Sequence, residues 1–157
     1  MLFRSVVFTK IPGPEGTSAN GSVVFTKDPT RKFFVTWDNE KARKGPNVTV
    51  SDAKSTWKTP DGIGIGTPMA EIEKLNGKAF KLSGFDWDYG GFANDFAGGA
   101  LAKRDGGCRL GLRFEPDPKV SNAVSLKVAG DKTFSSADPN MRAVRPRVSE
   151  ISINWPR

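Results

Sequence analysis

The sequence predicts an α+β fold, mainly antiparallel β-sheet, with one short helix at about residues 68–76 packed on it. Three observations lead there. Short β-branched and aromatic runs recur along the chain, punctuated by 17 glycines and 11 prolines. One segment alone carries both a helix start and a helix stop. No long helical pattern separates the strands, so βαβ units and a parallel sheet are not expected. The chain has 157 residues, 37% apolar and 26% charged. That suits one globular domain with a real core, and no apolar run approaches the length of a bilayer span.

The start of the chain is unusual. Ser5 to Lys10 reads Ser-Val-Val-Phe-Thr-Lys, and Ser22 to Lys27 repeats it without a change. One reading is a duplicated strand, but a structural repeat would preserve its pattern over a longer period. The other is an assembly artefact of environmental sequencing, because Leu2-Phe3-Arg4-Ser5 is what the end of a common sequencing adapter encodes in frame. On that reading residues 1–16 pack poorly, residues 17–157 form a single domain, and the true start is lost. The first ten residues are not a signal peptide. That absence is then no evidence for a cytoplasmic protein.

Pro12 to Ser22 reads as a loop, and Val23–Thr26 with Lys32–Trp37 as a hairpin around Lys27-Asp-Pro-Thr30. Asp38 to Pro46 is a charged, solvated loop, and Val48–Val50 and Ser55–Lys58 are short strand candidates. Ile63 and Ile65 alternate with Gly62, Gly64 and Gly66 in a brief strand that feeds the helix. Thr67 is placed to cap it, with Pro68 at the first helical position where its missing N–H costs nothing. Glu71 and Glu73 lie near the positive end of the helix dipole. Met69, Ile72 and Leu75 share one face, and Asn76-Gly77 ends the helix.

Strands are expected again after the helix. Phe80 and Leu82 alternate; Phe85, Trp87 and Tyr89 then point one way while Asp86 and Asp88 point the other. Phe92–Leu101 reads as a strand broken by glycines, and Asp105-Gly106-Gly107 as a hairpin turn into Cys108–Phe114. Val124–Val128 is a short strand or helix, and Ser135–Met141 includes a helical turn. Val148–Trp155 closes the chain as a strand with Ile151, Ile153 and Trp155 on one face. Cys108 alternates with Leu110, Leu112 and Phe114, which places a structural thiol on the buried face of a strand.

The order Trp57-x-Thr59-x-x-Gly62-Ile63-x-x-Gly66-Thr67, Glu71-x-Glu73-x-Leu75-Asn76-Gly77, Phe80 and Gly84-Phe85-x-Trp87-Asp88-Tyr89-Gly90-Gly91 resembles a family of uncharacterised bacterial proteins. Cys108-Arg109-Leu110 and Pro146 to Trp155 resemble its later segments, so the likeness runs from about residue 21 to the end. Members of that family look like exported envelope proteins. The resemblance implies a periplasmic or secreted protein and carries over no catalytic or binding residue.

The chain contains no histidine. That removes Ser-His-Asp and Cys-His catalysis and the usual zinc hydrolase sites. Gly62-x-Gly64-x-Gly66 lacks the third glycine of the dinucleotide fingerprint, where Thr67 stands, and lacks the Walker lysine. Ser51-Asp-Ala-Lys54 matches a penicillin-recognising motif without its two companions. No cofactor is expected.

The best polar cluster is Asp86, Trp87, Asp88 and Tyr89, with Asp95 nearby. Carboxylates two apart on a strand lie roughly 7 Å from each other, a spacing compatible with an inverting glycosidase pair. A calcium loop counted from Asp86 fails at its twelfth position, which is Ala97. The competing account is a solvent-facing strand with turn-forming aspartates. Trp37, Trp57, Trp87, Tyr89, Phe92 and Phe96 offer a stacking platform for sugars or bases, or simply a core.

The formal charge of +7 points to an anionic partner such as polysaccharide or protein. The basic residues are scattered, with small groups at Lys41, Arg43 and Lys44, at Lys103 and Arg104, and at Arg142, Arg145 and Arg147, so nucleic acid is not the favoured partner. The leading expectation is a non-catalytic envelope or secreted domain that binds a partner through its surface. The alternatives are a small carboxylate-dependent enzyme acting on glycans and a nucleic-acid-binding protein. A concave pocket lined by the aspartates, with a carboxyl of raised pKa, would favour the enzyme.

Overall fold

The computed structural model describes residues 5–155. Among these residues nine strands and three short α-helices form a mostly antiparallel α+β fold. The strands are β1 (Val6–Pro12), β2 (Ser18–Val24), β3 (Phe33–Asn39), β4 (Lys44–Val50), β5 (Lys81–Ser83), β6 (Phe92–Ala93), β7 (Arg109–Glu115), β8 (Thr133–Ser135) and β9 (Arg147–Asn154). The helices are α1 (Met69–Asn76), α2 (Asn122–Ser125) and α3 (Pro139–Ala143). Seven strands make one sheet in the order β1-β2-β3-β4-β9-β7-β6, and β5 pairs with β8 apart from it.

Register sorts the large sheet into two unlike faces. Val35, Val48, Ile153 and Leu110 stand opposite one another on one face, and Val50, Ile151, Leu112 and Ala93 form the next row. The other face carries Phe34, Thr49, Ser152 and Gly111, then Glu150, Arg113 and Phe92. Alternation along each strand produces this division. A bulge opposite Arg113 and Phe114 shifts β9, so Val148 joins Ile151 on the buried side.

Over the apolar face, α1 and the β5–β8 pair bury a core of Ile63, Met69, Ile72, Phe80, Leu82 and Phe114 with their neighbours. Phe80 packs against Phe96 and Phe114 at ring separations of 5.5 and 6.0 Å. Burial of these large side chains is the main stabilising contribution.

The helix lies where its start and stop signals place it, but its details differ. Gly77 closes it in the left-handed conformation, φ 77°, donating to Glu73 O and Lys74 O. Thr67 does not cap it: its hydroxyl accepts from Gly64 N at 3.0 Å and closes the glycine turn. Pro68 occupies the cap position, and the Met69 N–H finds Pro146 O at 2.9 Å instead of a cap side chain. Met69, Ile72 and Asn76 face inward while Leu75 is exposed. Asn76 donates to Lys78 O and Phe96 O at 2.9 Å and accepts from Leu101 N at 3.2 Å. Those three bonds satisfy a buried amide and bring the 96–101 segment onto the helix.

Other expectations shift as well. Asp38–Pro46 is a tight hairpin between β3 and β4, not an open loop. Ser55–Lys58 forms no strand beyond a single bridge from Lys58 to Gly64. Only Phe92–Ala93 of the 92–101 segment is strand, because Asp95 turns the chain by accepting from Ala97 N at 2.9 Å. Cys108 is half-buried and precedes β7, with its thiol 3.5 Å from Asp105 O. β1 is the outer strand, paired to β2 from Val6–Val24 to Pro12–Ser18, with exposed side chains at most positions. No helix among the described residues is long and apolar enough to cross a membrane.

Candidate functional site

The segment expected to be an aspartate-studded strand is a series of tight turns. Phe85 is buried and its N–H donates to Val128 O at 2.8 Å. Asp86 then adopts φ 64°, a left-handed corner that no strand residue can hold. Tight turns carry the chain through Trp87 to Gly91, and each glycine is needed for closeness. A Cβ on Gly91 would overlap Phe114 O, and one on Gly84 would stand 2.5 Å from Gly130 O. The Gly-Phe-Asp-Trp-Asp-Tyr-Gly-Gly run therefore reads as a packing device first.

The expected site residues separate. Asp86 is an exposed corner. Asp95 serves its own turn and pairs its backbone with that of Lys81, away from the others. Trp87 is half-buried, its indole N–H donating to Gly84 O at 3.0 Å, and the exposed Tyr89 packs on it at 5.4 Å. Asp88 accepts from Glu15 N at 2.8 Å. The broad aromatic platform does not form, since Phe96 is core and Trp57 lies against Phe33 on the opposite side of the sheet.

Trp87 and Asp88 do border a concavity. β1–β2 and β6 are at opposite ends of the sheet, yet the Pro14–Gly16 turn reaches Asp88. The sheet therefore coils until its ends approach over the polar face. The enclosed groove has a volume of about 760 Å³. Its floor is Phe34, Thr36, Asn47, Thr49, Arg113 and Glu150, and its ends are Trp87 with Phe92 and the hairpin tip.

Arg113 organises this floor. Its Nε donates to Gly90 O at 2.9 Å and Nη2 to Asp88 O at 3.2 Å, while its guanidinium carbon lies 5.7 Å from the centre of the Phe92 ring. Glu150 stands opposite Arg113 in register. Burial pushes the Glu150 carboxyl above the ordinary glutamate range, and the Arg113 charge only partly offsets it. Thus the carboxyl that the groove floor raises is that of Glu150. Arg113, Glu150, Asn47 and Thr49 were missed because on an alternating strand they look like solvent-facing positions. The available signal was their density on the polar face of three adjacent strands.

A second concavity, about 620 Å³, lies on the other side of the sheet where the helices leave it uncovered. Phe33, Val48, Val50, Ile151 and Ile153 form its base and Trp57 its side, with Arg104 and Asp61 at one end.

No protein-family model, curated protein or solved structure matches this chain.

Proposed function

We propose that the protein is a non-catalytic envelope or secreted domain whose coiled polar sheet face binds a glycan strand. The observation that carries this reading is the groove floor, where the half-buried faces of Phe34, Phe92 and Trp87 alternate with Thr36, Asn47, Thr49 and Glu150. Sugars present apolar ring faces and a rim of hydroxyls, so they need stacking surfaces and paired donors and acceptors within one site. The export part of the reading rests on the family resemblance alone, and the complete upstream reading frame tests it.

Two features favour binding over turnover. Asp86 and Asp95 lie outside the groove, and the Asp88 carboxylate holds the hairpin tip. Nucleic acid is disfavoured because Arg104, Arg142 and Arg145 are paired with Asp61, Glu73 and Asp117. Titration calorimetry with soluble tetrasaccharides, chitotetraose among them, is expected to show saturable binding that Trp87→Ala and Asn47→Ala weaken. Absence of binding to every glycan, by a folded protein, would sink the proposal.

One observation favours a second reading. Glu150, with its raised carboxyl, shares the groove with Asp88, as an acid and a carboxylate base would. Release of reducing ends that disappears in both Glu150→Gln and Asp88→Asn would establish the enzyme instead.

A further inference from the structure

The pocket on the apolar side of the sheet is unlike the groove. Its base is aliphatic, formed by Val48, Val50, Ile151 and Ile153, and Trp57 stands beside it 43% exposed. That indole is fixed in place. Its N–H donates to Arg31 O at 2.8 Å, and its ring meets Phe33 edge-on at 5.9 Å. A large aromatic surface held rigidly in the open is prepared for an apolar occupant, because little side-chain freedom remains to be lost on contact.

At the end of this pocket Arg104 has a side chain only 13% exposed. Its Nη1 is paired with Asp61. Its Nε and Nη2 are buried, and among the described residues neither has a hydrogen-bond partner. These two nitrogens form one edge of the guanidinium and carry two parallel N–H bonds. A carboxylate is the acceptor that satisfies both at once. Leaving both N–H bonds buried and unpaired is the costly state, and a ligand carboxylate that reaches them relieves it.

We propose that this pocket binds a small amphipathic monocarboxylate. The apolar body lies on Trp57 and the aliphatic base, and the carboxylate takes the Nε–Nη2 edge of Arg104. Asp61 keeps Nη1 and acts as a tether, so that a turn of the side chain presents the free edge to the pocket. The site is separate from the polar groove and does not rest on the glycan reading. A volume of about 620 Å³ falls within the range of small-molecule sites.

The test is calorimetric titration of the whole chain with sodium decanoate and with decyltrimethylammonium, which has the same tail and the opposite charge, both kept below micelle formation. Decanoate should bind the wild type at least about tenfold more tightly than the cation. Arg104→Met should abolish that preference. Arg104→Lys should keep only a small part of it, since a point charge lacks the fork. Val48→Phe fills the base and should weaken both ligands while leaving Arg104 in place. Equal affinities for the two ligands overturn the proposal, as does a preference that survives in Arg104→Met. So does one that disappears only when Lys58 and Lys103 are both replaced by Met. Failure of decanoate to saturate the folded wild type overturns it as well.

Discussion

The backbone N–H of Glu15 donates to Asp88 Oδ2 across 2.8 Å, although 73 residues separate them. This bond joins the tip of the β1–β2 hairpin to the loop that precedes β6, and so links the two ends of the seven-stranded sheet over its polar face. The same aspartate offers its carbonyl to Arg113 on the groove floor. Asp88 thus sets the width of the groove rather than serving as an isolated carboxylate within it.

Removing the carboxylate should therefore loosen the hairpin. Asp88→Ala is expected to raise amide hydrogen exchange across residues 13–17, at a cost of only about 1 kcal/mol because the bond is exposed. Asp88→Asn keeps an acceptor oxygen and should retain most of the protection. Unchanged exchange in the alanine variant would show that β1–β2 pairing alone holds the tip.

The glycines of the Trp87 loop should be the least replaceable in the segment. Gly91 has φ 73° and no room for a Cβ beside Phe114 O, and its own N–H and C=O bond Gly84 O and Phe114 N. Gly91→Ala is expected to cost about 3 kcal/mol or more by urea denaturation. Gly77 has a similar φ of 77° but open space around it, so Gly77→Ala should cost only about 1 kcal/mol. Equal losses would mean that backbone conformation, not crowding, governs both positions.

Asn76 makes a third case. Replacing it with Ala leaves the buried Leu101 N–H and Phe96 carbonyl, and the part-buried Lys78 carbonyl, without their partner. The expected loss is about 2–3 kcal/mol, with increased exchange at the Leu101 amide. Protection at Leu101 that matches the wild type would refute the role assigned to this side chain.

These positions also mark how far the sequence could be read. Helix α1 was legible because its signals are local: Pro68 at one end, Gly77 at the other, Met69 and Ile72 between. The role of Asn76 was not, since two of its three partners lie 20 and 25 residues further on. Leu75 and Asn76 are adjacent, and which of them turned inward depended on the 96–101 segment. Trp87 and Asp88 were legible as an aromatic-acidic cluster. Asp86 and Asp95 had the same composition around them but serve turns, and only a backbone can tell a strand aspartate from a corner aspartate. Arg113 and Glu150 were hidden because a groove made by coiling a sheet is a property of several strands at once.

Glu150 supplies the prediction that depends most directly on that coiling. Its carboxyl is raised by burial on the groove floor, with Arg113 opposing the shift. A group with a folded pKa above its unfolded value binds its proton more tightly in the folded state. Its favourable contribution is complete below the ordinary glutamate range and is lost as pH rises through the raised folded value. The wild type should therefore lose stability relative to Glu150→Gln over that interval, with a flat difference on either side. Urea denaturation of both proteins at closely spaced pH values measures the difference directly. A wild type that gains on the glutamine variant as pH rises would mean that the Arg113 charge outweighs burial. Glu150 would then enter the groove as the anion of an ion pair and not as an acid.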